Sequence, residues 1–445
     1  MKKSIPRDLT HDLVLPTLLF AALGAMTWAV RGCSGYGALA GCMFAGVGWG
    51  AAWWYVSRTP GGVQARRYTS GWIIPALTIG IGVSGARGWA QWPNFFEGRL
   101  LTNAAEGAFV PISPAYGFLW LFIAGVPWAG IGACMLAWCG PERPLRARDW
   151  ALRIACGVAG VLLAGFLFDR LPHLFLPLYD TLRDNYQDFT ANPSLKRLVG
   201  DCRLAVVHLG CYLGFLAFEA ARRDRKNVTL ILTVGLINGA GWALLQNWTW
   251  AQGLFGASFN WWRCWESSGG VSIGVALGVA YYLVNRPLST VERARRWNEL
   301  SNPRPNLERF GVWFGLLLGL GLSARNGLKG WANIYLGNED YWSAELWRWF
   351  GPGLLLGLAA ILVAVRLRPR RPGVLEDLFP RAHRLMWLTL VVLNVLAQLV
   401  TGPKSNASEL AFSLYYLLLF AVTAAVTLHY QRRRRAPGPA SPRAA

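Results

Sequence analysis

Residues Gly80–Trp89 read GIGVSGARGW, and residues Gly319–Trp331 read GLGLSARNGLKGW. Each stretch ends an apolar run with Gly-x-Gly-x-Ser, continues with Ala-Arg and a glycine, and reaches a tryptophan. Arg87 stands three residues after Ser84, and Arg325 stands two residues after Ser323. A charge closing a hydrophobic run in both halves of a chain points to a duplicated element rather than to a stray arginine.

The runs around these stretches set the class. Of 445 residues, 54% are apolar and only 15% charged, with 50 glycines and 24 tryptophans, a membrane-protein composition. Crossing the hydrocarbon core takes roughly 20 helical residues. Twelve segments qualify: Asp12–Val30, Tyr36–Val56, Trp72–Arg87, Gly117–Cys139, Leu152–Phe168, Leu204–Ala220, Thr229–Asn247, Gly270–Val284, Phe310–Ser323, Trp349–Val365, Leu385–Val400 and Leu410–His429. The basic start and first run have the outline of a signal peptide. No small-x-small site follows, and Thr229–Leu245 repeats the run internally, so it reads as a retained first helix.

Basic residues fix an orientation. With a cytoplasmic N-terminus, 31 of the 44 Lys and Arg fall on inner segments, while the acids divide almost evenly, 11 inside and 12 outside. The net charge of +21 is then a positive-inside signal rather than a nucleic-acid footprint. Both termini are expected in the cytoplasm, the bilayer to be the plasma (inner) membrane, and the basic loops to meet anionic lipid heads.

The repeat extends beyond its two arginines. Trp28-Ala29 matches Trp242-Ala243, Ser34-Gly35 matches Ser268-Gly269, and Pro127 has a counterpart in Pro352. Basic clusters close both halves, at Arg222–Lys226 and Arg432–Arg435. The expected fold is an all-α polytopic membrane protein of about 12 transmembrane helices, arranged as two parallel six-helix repeats. The halves would be residues 1–226 and 227–435, followed by a disordered cytoplasmic tail at 436–445.

Arg31, Arg87 and Arg325 abut apolar runs on the outer side, and a guanidinium withdrawn from water needs a partner or a ligand. In the repeat alignment Glu266 sits opposite Gly32, so Arg31 and Glu266 are expected to pair across the pseudo-symmetry axis. The outer segments interleave tryptophans with amides and charges. Indole faces beside hydrogen-bonding side chains suit a sugar or sugar acid. The expected solute contacts are Arg31, Ser84, Arg87, Trp89, Trp242, Gln246, Glu266, Ser323, Arg325, Asn326 and Trp331. The plainer account is that the arginines snorkel and the tryptophans form interfacial belts. His208, Asn238, Asn394 and Gln398 are the polar groups within spans, and interhelical hydrogen bonds are their ordinary use.

The eight cysteines form no CxxC and no Cys/His cluster, so neither a metal nor a cofactor is expected; a disulfide among Cys33, Cys202 and Cys264 is the open alternative. The reading is a secondary transporter for a small polar or anionic solute bound between the halves near the outer side. Two others stand beside it. One is a membrane enzyme on a lipid-linked or outer-surface glycan, using Glu97, Glu266, Glu339, Asp340 and Glu345 as acid or base. The other is a non-catalytic partner or sensor.

Overall fold

The structure is a computed structural model that describes residues 8–33, 35–58, 66–85, 91–140, 145–245, 248–256, 258–288, 305–367 and 379–435. Its long helices are α1 (Leu15–Arg31, entered through a π-helical turn at Thr10–Val14), α2 (Ala38–Val56), α3 (Ile73–Ser84), α4 (Ala115–Ala137), α5 (Ala147–Arg170) and α6 (Pro193–Ala221). Then come α7 (Arg225–Leu245), α8 (Trp261–Val284), α9 (Pro305–Tyr335), α10 (Glu339–Leu367), α11 (Phe379–Leu399) and α12 (Ala407–Arg435). Among the described residues, ten helices are long and apolar enough to cross a membrane. The expected count of twelve is not reached on that measure: α3 has 12 residues, and α2 is a Gly- and Trp-rich helix buried along most of its length.

Glycine decides which helices meet. α1, α2, α3, α4, α7 and α8 pack each on the next in a closed circuit. At the α1–α8 crossing the backbones touch: a Cβ on Gly24 would lie 2.1 Å from the Gly270 carbonyl oxygen, and one on Gly270 would lie 2.0 Å from that of Gly24. Only residues without a side chain permit that approach. Four indoles fill the circuit, Trp28 from α1, Trp49 from α2, Trp128 from α4 and Trp242 from α7, with ring centroids between 4.7 and 6.5 Å apart. α6 packs on α4 and carries α5 on its other side. α9 lies on α2 and α3 and carries α10, and α11 and α12 lie on α2 and α1.

Exchanging the expected halves carries the packed pair α1–α2 onto α7–α8, and α3–α4 onto α9–α10. The extensive α2–α3 contact has no comparable α8–α9 contact among the described residues. The sequence reading did not anticipate the strands. β1 (Arg99–Asn103) and β2 (Ala108–Pro111) form an antiparallel hairpin with Gly107 at φ 70° in its turn, a conformation that suits glycine. The hairpin packs on α6.

Candidate functional site

Asn260 caps α8, its side-chain oxygen accepting from the Arg263 N–H, and Glu266, six residues on, is buried on the face of α8 that meets α1. Arg31, the last residue of α1, meets it there. Nη1 donates to Oε1 at 2.9 Å and to Oε2 at 3.0 Å, and both residues are buried. The other guanidinium nitrogens are also engaged: Nη2 donates to the Gly85 carbonyl at 3.1 Å, and Nε to Cys42 Sγ at 3.1 Å. Cys42 in turn donates to the same carbonyl at 2.7 Å. Trp28 and Trp128 each lie 5.3 Å from the guanidinium carbon. A cation over an indole face gains about 2 kcal/mol when desolvated.

All six circuit helices therefore meet at one buried charge pair. α1 gives Arg31 and Trp28, α2 gives Cys42, and α3 gives the Gly85 carbonyl that follows its last residue. α4 gives Trp128, α7 the Trp242 packed on it, and α8 Glu266. Ser84 belongs to the same cluster, donating to the Trp128 carbonyl at 2.5 Å. Trp28 Nε1 has no hydrogen-bond partner among the described residues, although its ring is fully buried. One layer below, Asn238 Nδ2 donates to the Gly125 carbonyl at 2.6 Å, and Ser272 donates to Asn238 at 3.1 Å.

The expected site residues divide into two groups. Arg31, Ser84, Trp242 and Glu266 come together in this cage. Ser323, Arg325, Asn326 and Trp331 lie on α9, outside that cage; Tyr36, at the entry to α2, touches this group, its hydroxyl donating to the Ser323 carbonyl at 3.2 Å. Arg325 does not join Arg31. Its Nη2 donates to the Ser343 hydroxyl at 2.8 Å, and its guanidinium sits 4.8 Å from the Trp347 ring, both on α10. The cause is that α9 does not stop at Ser323, where the expected span ends, but runs helical to Tyr335. Successive side chains are then set about 100° apart, so Arg325 and Asn326 address different neighbours. The Trp331 ring lies 6.0 Å from that of Tyr335, tilted against it. Arg87, Trp89 and Gln246 lie outside the described residues, as does the expected tail at 436–445.

The carboxylates weighed for an enzyme are dispersed among separate partners: Glu97 with Arg99, Glu339 with Lys329, Glu345 with Arg348. Cys33, Cys202 and Cys264 are free thiols. Asn394 donates to the Tyr416 carbonyl and Gln398 to the Ser413 carbonyl, both interhelical.

Sequence reasoning missed a second polar layer at the opposite end of the circuit. Arg66 donates to Asp12 at 2.6 Å and to the Asn285 carbonyl at 2.7 Å; Arg67 donates to both oxygens of Asp224 at 2.7 and 2.6 Å. Burial alone would lower the Arg66 pKa, but Tyr281 and Asp12 outweigh it and raise it. Asn227 links Arg67, Tyr68 and Glu219, and Glu219 holds the fully buried Arg153. Asp12, Glu219 and Asp224 at the edges of apolar runs were the available signal. Compared with known proteins, the chain matches no family model, no curated protein and no solved structure.

Proposed function

We propose that the protein is a secondary transporter for a small anionic or polyhydroxylated solute, a sugar acid being the type. The observation that carries this reading is the buried Arg31–Glu266 pair inside a tryptophan cage where six helices converge. Taking a guanidinium and a carboxylate out of water costs several kcal/mol per ion, and apolar residues of similar size hold a fold as well or better. A charge pair kept at such a point in a membrane protein calls for a use.

In this reading Glu266 stands where the carboxylate of the solute would stand. A planar carboxylate accepts from the guanidinium as Glu266 does, and the indoles of Trp28, Trp128 and Trp242 would face the sugar C–H groups. The unpartnered Trp28 Nε1 supplies a donor for a solute hydroxyl. Exchange between Glu266 and the solute would separate α1 from α8, which meet through glycines. The twelve-crossing arrangement includes α2 and α3 as spans. It puts both termini on the cytoplasmic side of the inner membrane, with the Arg31 cage near the outer side and the basic loops on anionic lipid heads. The duplicated helix pairs, α1–α2 with α7–α8 and α3–α4 with α9–α10, are the part of the repeat this reading uses.

The test is uptake of labelled sugar acids and other organic anions into proteoliposomes. Wild type should take up at least one of them saturably, and Arg31→Ala should lose at least about tenfold in rate at low concentration. Absence of uptake across the panel, or equal uptake by Arg31→Ala, would overturn the reading.

A further inference from the structure

Arg325 presents a different problem from Arg31. It is 7% exposed, yet no carboxylate lies within ion-pair distance of it among the described residues. Its neighbours at this end are neutralised: Arg31 by Glu266, Arg263 by Glu409, Lys329 by Glu339 and Arg348 by Glu345. Arg325 Nε has no acceptor, and Nη2 is held only by Ser343. A buried, hydrogen-bonding cation without a counter-charge is costly unless an anion completes it.

Its position says which side the anion comes from. None of the described residues of α10 is buried, and its exposed side chains lie all round the helix: Trp347, beside Arg325, at 46%, Trp349 at 73%, and Leu355 and Leu356 about two turns further on at 70% and 71%. In a bilayer such a peripheral helix meets lipid. α9 has 31 residues, about 46 Å of helix against a hydrocarbon core of about 30 Å, so it projects at its ends. Arg325 is ten residues from the C-terminal end, about 15 Å; with the overhang of about 16 Å shared between the two ends, its Cα lies about 7 Å inside the edge of the hydrocarbon core, within snorkelling reach of the headgroups. Interfacial tryptophans favour the same depth.

We infer that Arg325, Ser343 and Trp347 form a site for a singly charged oxyanion at the α9–α10 seam, the phosphodiester of a membrane phospholipid. One uncompensated guanidinium matches one negative charge, Ser343 fixes Nη2, and Nη1, which is neither hydrogen-bonded nor enclosed as Nε is, is left to donate to a phosphate oxygen. This site is separate from the Arg31 cage and does not depend on the transport reading.

The test is thermal unfolding of delipidated, detergent-solubilised full-length protein, followed by tryptophan fluorescence. It is measured with added phosphatidylglycerol, with dioleoylglycerol, which lacks the phosphate, and with dissolved dimethyl phosphate. Phosphatidylglycerol should raise the Tm of wild type and of the control Arg348→Gln by several degrees, and dioleoylglycerol should not. Arg325→Gln should show no rise, and Arg325→Lys, which keeps the charge, a smaller one. Equal rises in wild type and Arg325→Gln, or a rise with dioleoylglycerol, overturn the site. A full rise with dimethyl phosphate alone overturns the lipid as its source. Should Arg325→Gln fail to fold, the Lys variant decides: a response equal to that of wild type overturns the site, which depends on the guanidinium held by Ser343 and not on charge alone.

Discussion

Arg31 and Glu266, 235 residues apart in sequence, form a buried bidentate contact with Nη1–oxygen distances of 2.9 and 3.0 Å. Removing one partner strands the other charge among indoles, so Arg31→Met or Glu266→Met alone should lower stability by about 3–5 kcal/mol. The double variant removes both charges and should regain most of that loss, while anion uptake stays abolished. Thermal unfolding read beside uptake separates the two roles. Recovery of both stability and uptake in the double variant would make the pair purely structural.

The α1–α8 crossing makes an independent prediction. Gly24→Ala places a methyl 2.1 Å from the Gly270 carbonyl oxygen, a backbone atom that no rotamer change can move aside. The helices must separate, at a cost of about 1–3 kcal/mol. A matching Gly107→Ala in the hairpin turn meets nothing within 4 Å, and its penalty comes only from φ 70°. If Gly24→Ala unfolds at the wild-type temperature, the crossing is not as close as drawn.

Much of the helical layout was legible because apolar runs and glycines are local signals. Each of the twelve apolar segments falls largely on a helix; only the Ala86–Arg87 and Gln246–Asn247 ends lie outside the described residues. The Arg31–Glu266 pair was also legible, through the alignment of Glu266 with Gly32. The rest of the cage was not. Gly85 acts through its carbonyl, which every residue has, and Cys42 and Trp128 look like ordinary core residues in an apolar run. Arg66 and Arg67 counted toward topology, yet they are buried against Asp12 and Asp224, and no periodicity foretells contacts across 54 and 157 residues. The hairpin escaped because a short polar stretch between spans gives little strand signal.

Burial should sort the ion pairs by consequence. Arg153 is fully buried, with Nε and Nη1 unpartnered, and Glu219 is its carboxylate. Glu219→Gln should therefore cost about 3–5 kcal/mol. Arg203 and Asp169 pair at 2.9 Å with about half of each side chain exposed, so Asp169→Asn should change stability by about 1 kcal/mol or less. Chemical denaturation of the two variants under one condition compares them directly. Equal losses would contradict the buried placement of Arg153.

The orientation of the bundle can be read by thiol labelling. Glu106, in the hairpin turn, is exposed and belongs to the Arg31 end, whereas Arg148, at the start of α5, has 75% of its side chain exposed at the other end. With the native cysteines replaced, Glu106→Cys should react with a membrane-impermeant maleimide in intact spheroplasts. Arg148→Cys should react only after permeabilisation. This order follows from the proposed topology, in which the basic loops stay in the cytoplasm because Lys and Arg resist translocation. Labelling of both positions in intact spheroplasts would mean that α5 begins on the same side as the hairpin, and α4 would not cross. Labelling of Arg148→Cys alone would invert the bundle and place the Arg31 cage on the cytoplasmic side.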